Sequence, residues 1–231
     1  TENTNNNIKD KSIYKHVTTN HGVESGDIGP VGGSIKFNPF GVLSFDGVDD
    51  YVTTGNINTG SGGFGVTNMI TVTCWAKSDT ENWNSTGMLI SKRDSFIMSP
   101  IETNKEIRFY VYTSDWAYID YTPSSITEWA FYTGTYDGTE LKLYINGSLV
   151  ASGWNGAGSQ GSNINNDTGQ LYVGHDDGIS GRYFNGQMSD VRIYNQALTA
   201  TQIKQLYNNT LLSTNVTLNK DQLLYISDAV D

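Results

Sequence analysis

Short stretches in which apolar and polar residues alternate recur along most of the chain, and turns rich in Gly, Asn and Asp separate them. Glu106–Tyr112 is the clearest case, because its apolar and polar positions alternate as Ile107, Phe109 and Val111 against Arg108, Tyr110 and Tyr112. A period of two is typical of a strand with one side in the core. Similar patterns predict strands at Val42–Phe45, Asp50–Thr53, Met69–Lys77, Met88–Lys92, Phe96–Met98, Ala117–Tyr121 and Gln170–Val173.

The turn residues between these strands predict antiparallel connections. Asp137-Gly138 and Asn146-Gly147 separate three consecutive predicted strands, and both dipeptides are strong hairpin signals. Roughly a dozen short strands with turn signals every 8–12 residues or so are typical of an all-β sandwich. We therefore predict a two-sheet antiparallel jelly-roll sandwich.

A strand followed by a short helix is predicted within Tyr183–Tyr207. In the strand, Met188, Asp190, Arg192 and Tyr194 are expected to face one way, and the residues between them the other way. Thr199 precedes the helix, and Gln202 three residues later completes a capping-box pattern. One apolar side of the helix is predicted to contain Leu198, Ile203, Leu206 and Tyr207.

The domain organisation follows from these patterns. We expect a disordered arm at residues 1–7, one domain at residues 8–208, and a tail or linker at residues 209–231 that packs on the domain. Because the sequence begins at Thr1 without Met, we interpret it as a mature form or a fragment, which allows for other domains of a larger chain.

Charge and composition narrow the range of partners. The 231 residues carry a formal net charge of −10, which argues against nucleic acid and against an anionic membrane surface. No apolar stretch is long enough for a membrane-spanning helix. The single cysteine, Cys74, lies in a predicted strand and is expected to be a buried apolar residue. The acidic, Asn-rich surface fits an extracellular protein that uses divalent cations, and it fits plain solubility equally well.

Three stretches taken together resemble a known family. They are Val42–Val52, Trp129–Gly147 and Leu171–Tyr207, and in this order they are similar to the laminin-G-like jelly rolls of the concanavalin A-like lectin/glucanase superfamily, relatives of the pentraxins. The resemblance covers about residues 8–208. It implies two antiparallel sheets, one concave and one convex, with ligand sites on edge loops and on the concave sheet, often with calcium.

The same resemblance implies two calcium sites. At the ligand site, the positions that match pentraxin calcium ligands are Asp94, Asp176 and Asp177, although the chain lacks the loop extension that supplies further ligands there. The alternative is that these residues serve their turns. A second, structural calcium would lie between Asp190 and groups near Asp27 or near Asp46 and Gly47, and the alternative there is an Asp that caps a turn by hydrogen bonds.

The sequence does not favour catalysis. A retaining glucanase needs two carboxylates roughly 5–5.5 Å apart, as in alternating Glu and Asp positions on one strand. None of the seven Glu residues lies in such a run. The three His residues are scattered, and no Tyr/His/Arg set of the lyase type can be assembled from the sequence. We therefore expect no enzyme activity from this chain, although it could be an accessory module of a larger enzyme.

A sugar site needs flat aromatic rings with hydrogen-bonding neighbours. The polar side of Glu106–Tyr112 offers Arg108, Tyr110 and Tyr112, and the nearby loops offer Trp83 and Trp116. The alternative is that packing covers these rings. We predict a non-catalytic carbohydrate-binding or adhesion module that binds a polysaccharide or glycoconjugate at an extracellular, cell or virion surface. The alternative function is a structural display domain of a virion or surface layer without a small ligand.

Overall fold

Two antiparallel β-sheets and one helix form the part of the chain that the computed structural model describes. The described residues are 9–10, 18–21, 24–26, 42–54, 56, 58–60, 64–84, 87–101, 104–176, 179, 181–211 and 223–228. The strands are β1 (Lys9–Asp10), β2 (Thr18–His21), β3 (Glu24–Gly26), β4 (Val42–Asp46), β5 (Tyr51–Thr54), β6 (Ile70–Ser78), β7 (Ile90–Lys92), β8 (Phe96–Pro100), β9 (Ile107–Tyr112), β10 (Trp116–Tyr121), β11 (Ala130–Tyr136), β12 (Leu141–Ile145), β13 (Ser148–Gly153), β14 (Asn155–Gly156), β15 (Tyr172–Val173), β16 (Asn185–Tyr194) and β17 (Leu223–Asp228). The helix, α1, spans Ala200–Leu211.

The order of the strands shows a sandwich. The first sheet runs β1-β17-β16-β6-β11-β12-β13, with β4 pairing to β16 and β3 pairing to β4. The second sheet runs β14-β10-β9-β8-β7-β15-β5-β2. The described strand pairs are antiparallel. The predicted two-sheet antiparallel jelly roll with one short C-terminal helix is confirmed.

The inner faces of the two sheets form one apolar core. In β9, the predicted apolar side is fully buried, whereas Arg108, Tyr110 and Tyr112 on the other side are half-buried. The first sheet faces it with side chains such as Val72, Cys74 and Tyr132. The prediction that Cys74 is buried is confirmed.

Both predicted hairpin turns are present in the first sheet. Asn146 and Gly147 connect β12 to β13 with φ values of 53° and 73°, which a type I′ turn requires and which Asn and Gly tolerate best. In the turn from β11 to β12, the Asp137 carboxylate accepts hydrogen bonds from the N–H groups of Thr139 and Glu140 at 2.9 and 2.8 Å. These bonds fix the register of the three strands.

The Asp137 turn gives a prediction about pH. Burial by itself raises the pKa of Asp137, but hydrogen bonds from Thr139 and Glu140 outweigh burial and lower the pKa to about 2. A lowered pKa in the folded state stabilises the fold above the ordinary carboxyl value of about 3.9, and this contribution is lost as the pH falls towards 2. Asp137→Ala should therefore lower the melting temperature at pH 7 more than at pH 2.5. Glu81→Ala removes an exposed carboxylate and serves as the control; equal losses at both pH values would contradict the prediction.

Strand β16 contains a bulge that the sequence pattern did not predict. Its pairing with β6 shifts register between Ser189 and Arg192, and Asp190 there has a φ of 52°. An extra residue in a strand reverses the side to which later residues point. As a result, Met188 and Val191 both lie in the main core, and the predicted simple alternation along this strand is wrong.

Helix α1 covers the outer face of the first sheet. The predicted cap is present, because the Thr199 hydroxyl accepts the N–H of Gln202 at 3.3 Å and the Gln202 side chain accepts the N–H of Thr199 at 2.9 Å. The predicted apolar side of the helix packs in a second cluster made of Trp75, Phe131, Tyr144, Tyr194, Leu198, Ile203 and Leu206, with Tyr207 beside it. Among the described helical residues, no segment is long and apolar enough to cross a membrane.

The predicted domain limits stay predictions. The arm at residues 1–7 lies outside the described residues, as do residues 212–222 and 229–231 of the tail. Within the tail, β17 pairs with β16 through Arg192 and Ile226. The described end of the chain therefore belongs to the first sheet.

Candidate functional site

Strands β9 and β10 carry a row of aromatic and charged side chains on the outer face of the second sheet. The paired residues across the two strands are Trp116 with Tyr112, Tyr118 with Tyr110, and Asp120 with Arg108. All six side chains are half-buried, whereas the alternate positions of both strands are buried in the core except Tyr121 at the end of β10, which is exposed. The helix covers the other sheet, so this face lies on the opposite side of the sandwich. We call these six residues the β9–β10 platform.

The rings of the platform hold one another in fixed orientations. Trp116 contacts Tyr110 and Tyr112 edge to face, with centroids 5.7 and 5.0 Å apart and an interplanar angle of 78° in each case. The Arg108 guanidinium lies 4.0 Å from the Tyr118 ring centroid and 5.4 Å from that of Tyr110. Such ring pairs and cation–π contacts give the platform a defined shape before any ligand arrives.

Arg108 is the charged centre of the platform. Its Nη2 donates to Glu106 at 3.0 Å and lies 3.1 Å from an oxygen of Asp120, and its Nη1 donates to the Tyr110 hydroxyl at 3.2 Å. Burial lowers the pKa of Arg108, but Tyr110, Asp120 and Glu106 raise it overall. Burial also raises the pKa of Tyr110, so its phenol stays protonated at neutral pH. The platform therefore offers a fixed cation and a neutral hydroxyl.

A concavity of about 390 Å³ adjoins the platform. It is lined by three platform residues, Arg108, Tyr110 and Trp116. The rest of the lining comes from Met88, Arg93, Arg182 and residues of and beside β8. Pockets of roughly 300–1,000 Å³ with apolar walls and a few polar groups are typical ligand sites. The concavity is open enough for a small saccharide and offers both rings and hydrogen-bond donors.

Asp176 is bonded to two of the three arginines that line this concavity, Arg93 and Arg182. Its carboxylate is fully buried; Oδ1 accepts the Ser91 hydroxyl at 2.6 Å, and Oδ2 accepts Nη1 of Arg93 and Nη1 of Arg182, each at 2.6 Å. Two guanidinium cations thus hold the carboxylate that was predicted to bind calcium. A calcium ion needs oxygens that are not already held by other cations. Asp176 does not fit the role of a calcium ligand in this arrangement.

The second described residue of that predicted calcium site is Asp94. Asp94 is exposed and has a φ of 61° in the turn between β7 and β8, and its carbonyl accepts the Asn165 side chain at 2.8 Å. This is the alternative in which the residue serves the turn. Asp177 lies outside the described residues.

The predicted pair for a structural calcium is also separated. Asp46 is paired with Asn185 at the start of β16, five residues before Asp190, which corresponds to about 15 Å along a strand. Asp190 is buried, and its Oδ1 accepts Nε of Arg192 at 2.6 Å. Asp46 and Asp190 therefore do not form one site, because the register places Asp46 beside the start of β16 and Asp190 near its middle.

A different acidic group surrounds Asp46. Ligand oxygens of Asp46, Asp49 and Asp50 lie within 4.8 Å of one another, the one such group of three found in the described part of the chain. The turn already uses some of these oxygens, because Asp46 Oδ1 accepts the Val48 N–H at 2.7 Å and Asp50 Oδ2 accepts the Asp46 N–H at 2.8 Å. Hydrogen bonds that cap the turn were the alternative given for Asp46. Calcium binding by Asp46 stays a prediction.

Trp83 does not belong to the platform. Its side chain is 1% exposed, its indole N–H donates to the Lys105 carbonyl at 3.1 Å, and its ring packs near Tyr132 and Phe184. A ring in the core cannot stack on a sugar from solvent. The prediction that Trp83 binds sugar is wrong, because the polar residues around it in the sequence concealed its long-range packing.

The sequence did not predict a cluster of one histidine and several tyrosine rings that lies near Asp176. His175 stacks on Tyr183 with ring centroids 4.2 Å apart and an angle of 8°, and it also contacts Tyr51 and Tyr172 at 5.2 and 5.5 Å. Arg182, next to Tyr183, bonds to Asp176. The pairing of β15 with β5 brings Tyr51 and Tyr172 side by side, and the expectation that the chain has no lyase-type Tyr/His/Arg set stays a prediction.

Solved structures with a similar fold are binding domains of larger proteins. The binding domain of botulinum neurotoxin DC in complex with SialylT matches with a TM-score of 0.64 and 17% identity, over 88% of this chain and 48% of that one. The same toxin domain in complex with rat synaptotagmin II matches with a TM-score of 0.62 and 15% identity, over 87% and 48%. This chain spans about half the length of these toxin domains.

Domain 4 of AbnA, an extracellular arabinanase from Geobacillus stearothermophilus in complex with arabinotriose, is similar over nearly its whole length. It matches with a TM-score of 0.58 and 17% identity, over 84% of this chain and 88% of that one. No curated protein matches by sequence. The family model for laminin-G-like domains, described as the concanavalin A-like lectin/glucanases superfamily, matches residues 46–204. Since this match covers more than half of the chain, the protein belongs to the concanavalin A-like lectin/glucanase superfamily.

Proposed function

We propose that this chain is a non-catalytic carbohydrate-binding module and that its saccharide stacks on the β9–β10 platform. The observation that carries the proposal is Trp116, which is half-buried, held by two tyrosine rings and lines the concavity. A ring that is fixed but partly open to solvent can cover the C–H face of a sugar at little entropic cost. Tyr110 and Arg108 beside it can donate hydrogen bonds to sugar hydroxyls.

The comparisons support the same proposal. Two of the similar structures are complexes with a saccharide, SialylT in one and arabinotriose in the other. The arabinotriose complex is a domain of an extracellular enzyme. By analogy, we infer that this chain works outside the cell or on a surface, as one module of a longer protein. Because sequence identity is 17% in both cases, the saccharide itself has to be argued from this chain's own residues.

The carboxylates nearest the platform are not arranged as catalysts. Glu106 and Asp120 both contact the same Nη2 atom of Arg108, at 3.0 and 3.1 Å. A glycosidase needs one carboxyl that carries a proton for the leaving group. Both of these groups are instead bonded to one guanidinium group. We therefore infer that a bound saccharide leaves this site intact.

A glycan array probed with and without EDTA tests the proposal. We expect binding to a defined set of saccharides, unchanged by EDTA because Arg93 and Arg182 hold Asp176 where calcium was predicted. Incubation with the bound saccharides followed by mass spectrometry should show no cleavage. Absence of binding in both conditions would overturn the proposal and favour a structural display domain.

Calcium at the Asp46, Asp49 and Asp50 group is tested separately by thermal unfolding. If an ion binds there, EDTA lowers the melting temperature and added calcium restores it, because a ligand of the folded state stabilises that state. Asp49→Asn, which removes an exposed carboxylate of the group, should then abolish the response. A melting temperature that ignores both EDTA and calcium would show that the carboxylates only cap the turn.

A further inference from the structure

The arginines of the concavity form an unusual arrangement for an acidic protein. Three of the four arginines in the sequence, Arg93, Arg108 and Arg182, line one concavity, although the chain has a formal net charge of −10. At physiological ionic strength, charges more than roughly 8 Å apart are largely screened. A ligand in the concavity therefore experiences mainly the nearest charges. These are the three guanidinium groups and the carboxylates bonded to them, Asp176 at Arg93 and Arg182, and Glu106 and Asp120 at Arg108.

Arg93 and Arg182 carry an excess of positive charge. Both bond through Nη1 to the same oxygen of Asp176, so one carboxylate faces two cations. Asp176 is fully buried, whereas the side chains of Arg93 and Arg182 are 33% and 25% exposed. The carboxylate thus lies below the surface, and the guanidinium groups lie between it and the concavity.

We propose that Arg93 and Arg182 bind the anionic group of an acidic saccharide whose ring stacks on Trp116. This inference rests on the proposed function and names the chemical class of its ligand. The guanidinium group has five N–H donors in a plane, and the described bonds to Asp176 use one nitrogen of each arginine. The remaining donors suit the two oxygens of a carboxylate, or those of a sulfate, which Arg binds in a bidentate way.

Asp176 is a positioning residue in this site. By holding both arginines from below, it fixes two flexible side chains before the ligand binds, which reduces the entropy lost on binding. Ser91, from β7, in turn donates to the other carboxylate oxygen and keeps Asp176 in place. Ser91 lies on β7, whereas Arg93 lies in the turn between β7 and β8, and Asp176 and Arg182 lie in the loop between β15 and β16. The site is thus formed where these two connections meet beside the second sheet.

An array of matched glycan pairs tests the ligand class. Each pair has an acidic member and a neutral partner of the same size: uronic-acid oligosaccharides and their methyl esters, and sulfated glycans and their desulfated forms. We expect at least tenfold tighter binding to the acidic member of a bound pair. If neutral members bind as tightly, the proposed function survives and this inference fails. If no member binds, both fail.

Matched variants test the two arginines. Arg93→Gln and Arg182→Gln should each weaken binding of the acidic glycan at least tenfold, since a hydrogen bond to a charged group contributes roughly 1.5–3 kcal/mol. Lys142→Gln removes the same charge at a distant ion pair with Asp137 and should leave affinity unchanged. Titration calorimetry measures the affinities, and circular dichroism checks that each variant is folded.

A further variant separates recognition from fold maintenance. Arg182→Lys keeps the charge over Asp176 but loses the planar pair of donors, so it should weaken binding to a carboxylate glycan while the melting temperature stays close to that of the parent protein. If Arg182→Gln and Arg182→Lys both bind the acidic glycan as tightly as the parent protein, the proposal is overturned. The arginines would then serve only to maintain the fold.

Discussion

Gly134→Val is expected to destabilise the protein by more than about 3 kcal/mol, a large part of the roughly 5–15 kcal/mol that keeps a domain folded. Gly134 lies in the middle of β11, between Val72 of β6 and Leu143 of β12. A Cβ atom at this position would lie 2.3 Å from Cγ of Phe109 in the opposite sheet. Because Phe109 is fully buried, its ring has no free space to move into.

A double-mutant cycle provides the control for this prediction. Gly134→Ala alone should lower the free energy of unfolding, measured with urea, by about 1–3 kcal/mol. Phe109→Leu removes the planar ring that causes the clash, so the double variant should lose less than the sum of the single losses. Additive losses would show that the glycine is not required by the ring, and a stable Gly134→Val variant would refute the close approach of the two sheets.

Much of the fold could be predicted from local sequence because local signals agree with the final pairing. The alternation in Glu106–Tyr112 identifies which side of β9 is buried, and Asn146-Gly147 fits the one turn type that joins β12 to β13 closely. The Thr199 and Gln202 pair marks the start of the helix correctly. These features depend on residues within a few positions of one another, which is the range over which sequence patterns are informative.

The bulge in β16 could not be predicted in this way. Asp190 adopts a φ of 52°, a conformation that its sequence neighbours do not require. The bulge depends on how β16 pairs with β6, and this pairing joins residues more than a hundred positions apart. The same register separates Asp190 from Asp46, so the proposed structural calcium pair depended on information that the sequence does not contain locally.

The candidate site also combines features that local sequence predicts with features that depend on long-range pairing. Arg108, Tyr110 and Tyr112 alternate on one strand, and Trp116 begins the next strand, so their common face followed from local pattern. Arg93, by contrast, reaches Asp176 only because β7 and β15 are neighbours in the second sheet. The resemblance to calcium-binding relatives directed attention to Asp176, but the nature of its partners required the three-dimensional structure.

The two outer faces of the sandwich are covered to different extents in the described part of the chain. On the first sheet, Trp75 and Phe131 are covered by α1 through Ile203 and Leu206. On the second sheet, the described residues place no helix over the β9–β10 platform, and its rings stay half-buried. Aromatic residues occur on both faces, so their number in the sequence could not distinguish a packing surface from a binding surface. The position of the helix makes that distinction.

Trp116→Ala is expected to weaken saccharide binding by about 30-fold or more without unfolding the protein. Central aromatic residues of a binding site often contribute about 2 kcal/mol or more, and every 1.4 kcal/mol or so is tenfold in affinity. Trp116 contacts Tyr110 and Tyr112 on the outer face and lies outside the main apolar core, so its removal should change the melting temperature little. Trp116→Phe keeps a flat ring and should retain most of the affinity.

Tyr121→Ala is the matched control for this experiment, because Tyr121 is an exposed aromatic residue on the same strand that does not line the concavity. Titration of each variant with the glycan that binds best on the array should give a strong loss for Trp116→Ala and an unchanged affinity for Tyr121→Ala. Equal affinities of both variants would show that the saccharide does not stack on the platform. In that case, the glycan would bind to the arginines of the concavity without stacking on Trp116.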